Sequence, residues 1–410
     1  MSFLPTFLLA LIAALPMGWA LWAAASQALD VSAWQALWAD PQTLRAWGMT
    51  LWTGLASTVL VWWTVARLLA HGFIRQQLAR WLTHVPALLA TPHAAMAIGL
   101  VLWLAPSGWA LRLVSPGLSG FDAPPPWLTT QDPWGLGLVL ALWLKEVPFL
   151  LWVAATQLQR EDLRRRWQAE FALAQTLGHT PATAFAQVVW PQLAPRLRWP
   201  LLAVLAYGLT VVDMALIIGP ATPPTLAVLA WQWLGDADAA MQAQGAAAAG
   251  CLTFSVAVLA GVTVMVLRAW ARLRRSRSSH LLLQGESPWV GWAIGGAYLA
   301  VWWALAVGSV SGVWPFPRLW PSLWTGDAWA QVIASAPTVW TTLGLAAASA
   351  SVCLVWSVAW LELTPRRWQQ ALRPWWLLPL VLPSVLWVVG LYSVALQWRL
   401  EGQWLGLLLA

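Results

Sequence analysis

The chain has 410 residues, of which 60% are hydrophobic and only 9% are Asp, Glu, Lys or Arg. A soluble domain averages about 25% charged residues, so this chain cannot cover a water-facing surface. Apolar stretches of about 20 residues recur along its whole length, and each is long enough to span a bilayer as a helix. The composition therefore excludes a soluble enzyme and predicts an all-α polytopic membrane protein.

The apolar runs predict a series of membrane helices, each bounded by polar residues, Gly or Pro. The first run could instead be a signal peptide, because Trp22-Ala23-Ala24-Ala25 resembles a cleavage site. No basic residue precedes that run, so we expect a retained helix. In chain order the predicted helices cover roughly residues 3–25, 48–70, 85–105, 135–157, 199–219, 243–267, 288–311, 338–361 and 375–397.

The formal net charge of +7 comes from short arginine clusters that alternate with loops carrying Asp. Such clusters between apolar runs are typical of membrane topology signals, and they indicate no nucleic-acid partner. Arginine-rich loops stay in the cytosol. We therefore expect the N-terminus and the 158–198 and 268–287 loops to be cytosolic, with the 106–134 and 220–240 loops outside.

Two segments suggest an internal duplication. Pro92, Gly99 and Leu100 align in register with Pro383, Gly390 and Leu391, in helices of the same predicted orientation. This pattern favours a parallel repeat over chance matching in a biased composition. We expect two fused permease-like repeats, the second incomplete, because the counterpart of the 158–198 loop falls beyond residue 410; the chain is then a fragment. The expected divisions are a first repeat at 1–270, a basic cytosolic linker at 271–287 and a second repeat at 288–410.

The loop at 158–198 carries the signals of folded structure. Glu161 places an acid at a helix start, where it favours the helix dipole. Gly178 supplies a left-handed stop for that helix. Thr180 is a helix N-cap, and Pro181 suits the first position of a second helix. The loop is therefore predicted to form a helix–turn–helix beneath the membrane.

The second helix of this loop is predicted at 182–189, closed by Pro191 and Pro195. Phe185 and Val188 are expected to be exposed on it, because a short surface helix has little core of its own. Exposed apolar residues need a partner surface, which is either another protein or the lipid headgroups. The residues alone leave both alternatives open.

The segment from Leu173 to Gly178, followed by Phe185, Val188 and Pro191, resembles the EAA loop of binding-protein-dependent ABC importer permeases. In that family the loop forms a coupling helix, which docks in a groove of the ATPase subunit. The chain departs from the pattern at Ala172, where the family has Glu, although Glu170 lies two residues earlier. The resemblance implies an ATPase-coupling role for Ala172, Leu173, Ala174, Gly178, Thr180, Pro181, Phe185, Val188 and Pro191.

Further segments, including Val211-Val212-Asp213 and Trp231-Gln232-Trp233-Leu234, resemble the YnjC-like branch of the thiamine/ferric-iron permease group. That group is built from two fused permease halves. The resemblance implies a multi-pass protein of the cell inner membrane, with an external solute-binding protein and cytosolic ATPase subunits as partners. It implies a small solute as cargo, such as thiamine, a related small molecule or iron.

The sequence offers no site for chemistry of its own. Lys145 is the only lysine, and it lies inside an apolar run, so a Gly-Lys-Ser/Thr phosphate loop cannot be present. The five histidines are scattered without metal-ligand spacing. We therefore expect a transport component that is not an enzyme and has no cofactor, with ATP hydrolysis on a separate subunit.

Three charged residues lie within predicted membrane helices, namely Lys145, Glu146 and Asp213. Each costs about 2.5–3.5 kcal/mol to insert, so each should face protein or water. Counted from the outer helix ends, Lys145 is predicted about 15 Å deep and Asp213 about 10 Å deep, which allows a contact between them. The charges either form a structural ion pair or line a substrate path. Two rival functions remain, an ion-coupled secondary transporter that uses these charges and a membrane-integral assembly protein.

Overall fold

The computed structural model describes residues 3–273 and 288–376, together with 387, 390–391, 398–400 and 403. These residues form helices and connecting loops, without a β-strand in the part described. The helices, in chain order, are α1 Phe3–Ala28, α2 Val31–Ala39, α3 Thr43–Ile74, α4 Leu78–Ala90, α5 His93–Leu104, α6 Trp109–Val114, α7 Leu136–Gln159, α8 Glu161–Thr176, α9 Pro181–Ala184, α10 Trp190–Leu193, α11 Arg198–Thr210, α12 Asp213–Ile218, α13 Leu226–Leu234, α14 Ala239–Leu273, α15 Pro288–Gly308, α16 Asp327–Ala334, α17 Ala336–Leu363 and α18 Arg366–Trp376.

Among the residues that the structure describes, six helical segments are long and apolar enough to cross a membrane, which confirms the all-α polytopic fold class. The predicted helix at 375–397 lies almost entirely outside the described residues. The basic linker predicted at 271–287 also lies largely outside them. The six segments are Thr43–Ile74, His93–Val114, Leu136–Gln159, Ala239–Ala269, Trp289–Gly308 and Ala336–Leu363.

The continuous helix predicted at 85–105 is wrong, because the chain breaks between α4 and α5. Thr91 and Pro92 both have extended backbones, with ψ of 120° and 148°. Proline has no amide hydrogen and disfavours the helical conformation of the residue before it. Pro92 therefore ends one helix and begins the next within the apolar run.

The continuous helix predicted at 199–219 is also wrong. It is interrupted after Thr210, and Val211 has an extended backbone with ψ of 132°. The chain resumes as α12 at Asp213. Two adjacent β-branched residues, Val211 and Val212, lie at this point, and their side chains are restricted in a helix. Each of the two breaks leaves backbone groups without an intrahelical partner.

The chain divides into two compact units, each built from separate stretches of sequence. One contains residues 1–44, 226–254 and 324–410, and the other contains 45–225 and 255–323. In the first unit α1 packs against α17, and Trp356 Nε1 donates a hydrogen bond to the carbonyl of Leu9 at 3.1 Å. Every candidate site residue named from the sequence lies in the second unit.

Helix α7 forms much of the core of the second unit and packs against α4, α11 and α12. Close packing between α3 and α11 depends on two glycines. A Cβ on Gly54 would lie 2.7 Å from Leu209 Cδ2, and one on Gly208 would lie 3.4 Å from the Cα of Gly54. Small residues let membrane helices approach at the backbone, where hydrophobic burial cannot drive association.

Arg112 holds the loop that follows α15. Its guanidinium donates to the carbonyls of Ser107 at 2.7 Å, Trp314 at 3.1 Å and Pro315 at 3.1 Å. The same group lies 4.5 Å from the ring centroid of Trp314. A buried guanidinium needs its donors satisfied. Carbonyl oxygens serve here in place of a carboxylate, and they fix the 314–318 turn against α6.

Candidate functional site

The loop predicted to couple the membrane helices to a partner begins at α8 with exposed ion pairs. Glu161 accepts hydrogen bonds from Arg165 Nε at 2.7 Å and from Arg164 Nη2 at 3.1 Å. The hydrogen bond from Arg165 is the main cause that lowers the pKa of Glu161. These pairs are solvent-exposed and contribute little to stability. They keep an acid ionised at the helix start, where it complements the dipole.

The end of α8 is as predicted, a left-handed stop at Gly178. The φ of Gly178 is +92°. Its amide donates to the carbonyl of Gln175 at 3.0 Å, and the amide of His179 donates to the carbonyl of Ala174 at 3.2 Å. These two bonds are the Schellman pattern, which satisfies the last carbonyls of a helix.

The start of the second helix is also as predicted. Thr180 has an extended backbone, and its Oγ1 accepts from the amide of Thr183 at 3.3 Å. Pro181 follows at the first helical position, where its missing amide hydrogen costs no hydrogen bond. The turn between α8 and α9 is therefore determined by local residues on both sides.

The predicted closure of the second helix by Pro191 and Pro195 is wrong. A π-helical turn, Phe185–Val189, joins α9 to α10, and a 3-10 turn, Ala194–Leu197, joins α10 to α11. Helical backbone therefore continues from the loop into the membrane. The π turn is wider than an α-helix and the 3-10 turn is tighter, so the spacing of the backbone hydrogen bonds changes at both. Pro191 and Pro195 lie at these changes, where a missing amide hydrogen is tolerated.

The prediction that Phe185 is exposed is wrong as well. Its side chain is 0% exposed, and its ring centroid lies 5.5 Å from that of Phe73 and 6.5 Å from that of Trp190. Val188 is half-buried. The segment is not an isolated surface helix, because it packs on α8 and on the end of α3. Phe185 is therefore an internal packing residue of the loop.

A polar network fastens α8 to α10. Gln192 Nε2 donates to Glu170 Oε2 at 2.6 Å, and Trp167 Nε1 donates to Gln192 Oε1 at 3.0 Å. Arg166 Nε donates to the other oxygen of Glu170 at 2.7 Å. The hydrogen bond from Arg166, and after it the one from Gln192, lower the pKa of Glu170. Glu170 thus serves an internal role close to the position of the family glutamate that Ala172 replaces.

The large apolar side chains that the loop does expose lie at the C-terminal end of α8. Leu173 is 61% exposed and Leu177 is 73% exposed. They are four residues apart, so they share one face of the helix. Thr180 and Pro181 are exposed just beyond them. We call Leu173, Leu177 and Pro181 the loop apex.

The charged residues in the membrane do not pair as predicted. Lys145 Nζ donates to the carbonyls of Leu89 at 3.0 Å and of Thr91, which lie at the break between α4 and α5. No ion pair joins Lys145 to Asp213 among the described residues. The ion pair that the sequence allowed between Lys145 and Asp213 is therefore not formed. The break at Pro92 provides carbonyls that lack an intrahelical donor, and the ammonium occupies them instead.

A row of polar side chains lies beside Lys145. Glu146 Oε1 lies 3.9 Å from His93 Nε2. The His93 ring centroid lies 4.8 Å from that of Tyr207, and the Tyr207 hydroxyl lies 3.4 Å from Asp213 Oδ1. We call Glu146, His93, Tyr207 and Asp213 the polar row. It brings together Glu146 and Asp213, two of the three predicted charges, through two aromatic rings.

No protein-family model matches the chain. Over 386 residues it is 30% identical to the inner membrane ABC transporter permease protein YnjC of Escherichia coli (strain K12). The match covers 92% of this chain and 67% of that protein.

The chain belongs to the ABC transporter permeases.

The sequence did not point to every residue that shapes these permease sites. Gln192 carries no motif signal, and its role is seen only because α8 and α10 pack together. Tyr298 and Trp302 on α15 were also missed. The Tyr298 hydroxyl donates to the carbonyl of Leu144 at 3.1 Å, and Trp302 Nε1 donates to Thr91 Oγ1 at 3.0 Å. Tyr298 lies 154 positions from Leu144, and Trp302 lies 211 positions from Thr91. Only the fold brings these residues together.

Within the part of the permease that the structure describes, no group of three or more His, Cys, Asp or Glu side chains could hold a metal ion. Cys251 is buried, and Cys353 is exposed. As a member of the ABC transporter permeases, the chain is a transport component.

Proposed function

We propose that this permease is the membrane subunit of an ATP-binding-cassette importer, and that its loop at 158–198 is the EAA coupling loop. The observation that carries the proposal is the loop apex. Leu173 and Leu177 are exposed apolar side chains on a helix whose end is fixed by Gly178. A rigid, apolar, solvent-facing projection suits docking into a groove of another protein.

ATP hydrolysis then belongs to a separate ATPase subunit. Lys145 is the only lysine of the chain, and it is buried in α7 with its ammonium on backbone carbonyls. It cannot serve as the lysine of a phosphate-binding loop, which follows a glycine-rich turn. The helical path from the loop through the π turn into α11 offers a continuous mechanical link between the docked ATPase and the membrane.

The cargo is a small solute delivered by an external binding protein, and the resemblance to the thiamine/ferric-iron group favours thiamine, a related small molecule or iron. The arginine distribution favours a cytosolic N-terminus and a cytosolic 158–198 loop in the inner membrane. The predicted duplication at 1–270 and 288–410 favours two permease repeats around a shared path.

Co-purification tests this proposal. A tagged permease is expressed in its own cells, extracted in mild detergent and purified, and co-purifying proteins are identified by mass spectrometry. We expect an ABC ATPase in the wild-type preparation and at least a tenfold loss of it when Leu173→Asp and Leu177→Asp are combined. Leu118→Asp is the matched control, since Leu118 is 90% exposed but lies outside the loop. Equal ATPase recovery from all three proteins would contradict the proposal.

A further inference from the structure

The two breaks in the membrane helices lie beside the polar row. His93 begins α5 directly after the first break, and Asp213 begins α12 directly after the second. Helix α5 packs against both α7 and α12, so Glu146 of α7 is brought to the same place. Irregular backbone at membrane depth is tolerated where it is buried in protein or lines a cavity. In transporters, broken helices of this kind build ligand sites near the middle of the bilayer.

The charges around the polar row do not balance. Two carboxylates, Glu146 and Asp213, lie near one ammonium, Lys145. That ammonium is already engaged by the carbonyls of Leu89 and Thr91. Formally, one negative charge is left over. A cation is therefore the ligand whose charge the site complements.

Glu146 gives an independent indication of a ligand. Its side chain is only 9% exposed, yet its carboxylate accepts no hydrogen bond from any described residue. The nearest basic atom is His93 Nε2, at 3.9 Å, which is beyond hydrogen-bonding distance. A buried carboxylate without donors is costly. A ligand that brings N–H donors to Glu146 removes that cost.

The geometry favours an organic cation over a metal ion. The contacts run from Glu146 to His93, from His93 to Tyr207 and from Tyr207 to Asp213, so two aromatic rings form part of the row between the carboxylates. No metal-binding group is present among the residues that the structure describes. Aromatic rings attract cations over their faces and stack on planar ligands. A ligand with a protonated amine and a flat body matches this row of acid, ring, ring and acid.

We propose that the polar row binds a small organic cation with a protonated amine, whose N–H groups donate to Glu146 and whose body lies along His93 and Tyr207 toward Asp213. The inference rests on the proposed function, because it names the substrate class of the same membrane path. No covalent step is involved. The row then selects cationic solutes during passage through the permease.

Binding of benzylamine, which is cationic at pH 7, tests the proposal. Affinity is measured by equilibrium binding to the full-length permease as purified, with any ATPase that co-purifies retained and quantified. Benzyl alcohol has the same ring without the charge, and benzoate carries the opposite charge. We expect saturable binding of benzylamine and at least tenfold weaker binding of the other two. Tenfold corresponds to about 1.4 kcal/mol.

Variants locate that binding. Glu146→Gln and Asp213→Asn should each weaken benzylamine binding at least tenfold, while Glu146→Asp, which keeps the charge, should retain it. Asp122→Asn is the matched control, because Asp122 is an exposed acid in a loop. Asp213 is itself exposed, so Asp213→Asn remains informative even where a change at the buried Glu146 prevents folding.

The outcomes separate this inference from the proposed function. Absence of saturable binding, equal affinity for benzyl alcohol, or unchanged affinity in Asp213→Asn would overturn the cation site. If the ATPase still co-purifies in those cases, the importer proposal stands and only the proposed substrate class is rejected. If benzylamine binds as expected but no ATPase co-purifies, the coupling proposal fails instead.

Discussion

Gly178 adopts a backbone that other residues rarely adopt, with φ of +92°, although a Cβ there would meet no atom within 4 Å. The substitution Gly178→Ala is therefore strained by conformation alone, by roughly 1–2 kcal/mol. We expect the thermal midpoint of the purified permease to fall, or the loop to lose hydrogen-exchange protection. Gly117→Ala is the control, because Gly117 has equal space and no left-handed φ. Equal effects at both positions would show that the turn does not depend on the left-handed residue.

Glu170 gives the loop a pH dependence. Hydrogen bonds from Arg166 and then Gln192 lower its pKa below the ordinary value of 4.5. A carboxyl whose folded-state pKa is lowered stabilises the fold fully above the unfolded-state pKa, and the stabilisation is lost as pH falls through the folded-state value. Hydrogen exchange of α8 and α10 should therefore show intact protection near pH 7 and weaker protection below about pH 4.5. Glu170→Gln should remove this dependence; an unchanged profile would contradict the network.

At the residue scale, the sequence predicts the role of a residue when that role depends on neighbours along the chain. Gly178 and Thr180 were predicted correctly, because a left-handed stop and an N-cap involve residues within five positions. The exposure of Phe185 was predicted wrongly, since its burial depends on Phe73, more than 100 positions earlier. Gln192 could not be identified for the same reason. Its partner Glu170 lies 22 positions away on another helix.

At the scale of the helices, Lys145 stabilises the break between α4 and α5. Lys145→Met should leave the carbonyls of Leu89 and Thr91 without a donor, at a cost of about 1–3 kcal/mol for each buried group. We expect a lower thermal midpoint for Lys145→Met and a near wild-type thermal midpoint for Asp213→Asn. Adding Asp213→Leu to Lys145→Met should not restore stability. Recovery in the double variant would mean that the two charges pair in the folded protein after all.

Hydropathy alone does not predict the two helix breaks. Pro92 is a helix-breaking residue, yet the apolar run around it is long enough to be interpreted as a single membrane span. The break at Val211 has no Gly or Pro to mark it. Its position depends on the packing of α12 against α5 and α7. The polar row is assembled by those breaks, so its charged members were named from the sequence but its geometry was not.

At the scale of the whole molecule, the arginine distribution predicts sidedness. Ala172→Cys and Ala237→Cys place a thiol on the predicted inner and outer faces, and both positions are exposed. The background is a Cys353→Ser protein, because Cys353 is exposed while Cys251 is buried. An impermeant maleimide added to intact cells should label position 237 and leave position 172 unlabelled until the cells are opened. The reverse pattern would invert the topology.

The predicted repeats at 1–270 and 288–410 remain a prediction, because much of the matching region after residue 376 is outside the described residues. Membership of the ABC transporter permeases rests on the match over 92% of the chain. The proposed coupling role of the 158–198 loop connects that membership to a mechanism. If the proposal holds, an ATPase subunit contacts the permease through this loop.

Photo-crosslinking from the loop tests that claim most directly. A benzophenone amino acid is placed at Leu177, which is 73% exposed, or at Phe185, which is 0% exposed, and irradiated membranes are analysed by mass spectrometry. We predict a crosslink from position 177 to an ABC ATPase and none from position 185. A crosslink from 177 to lipid alone, or ATPase capture from 185 and not from 177, would contradict docking through the loop apex.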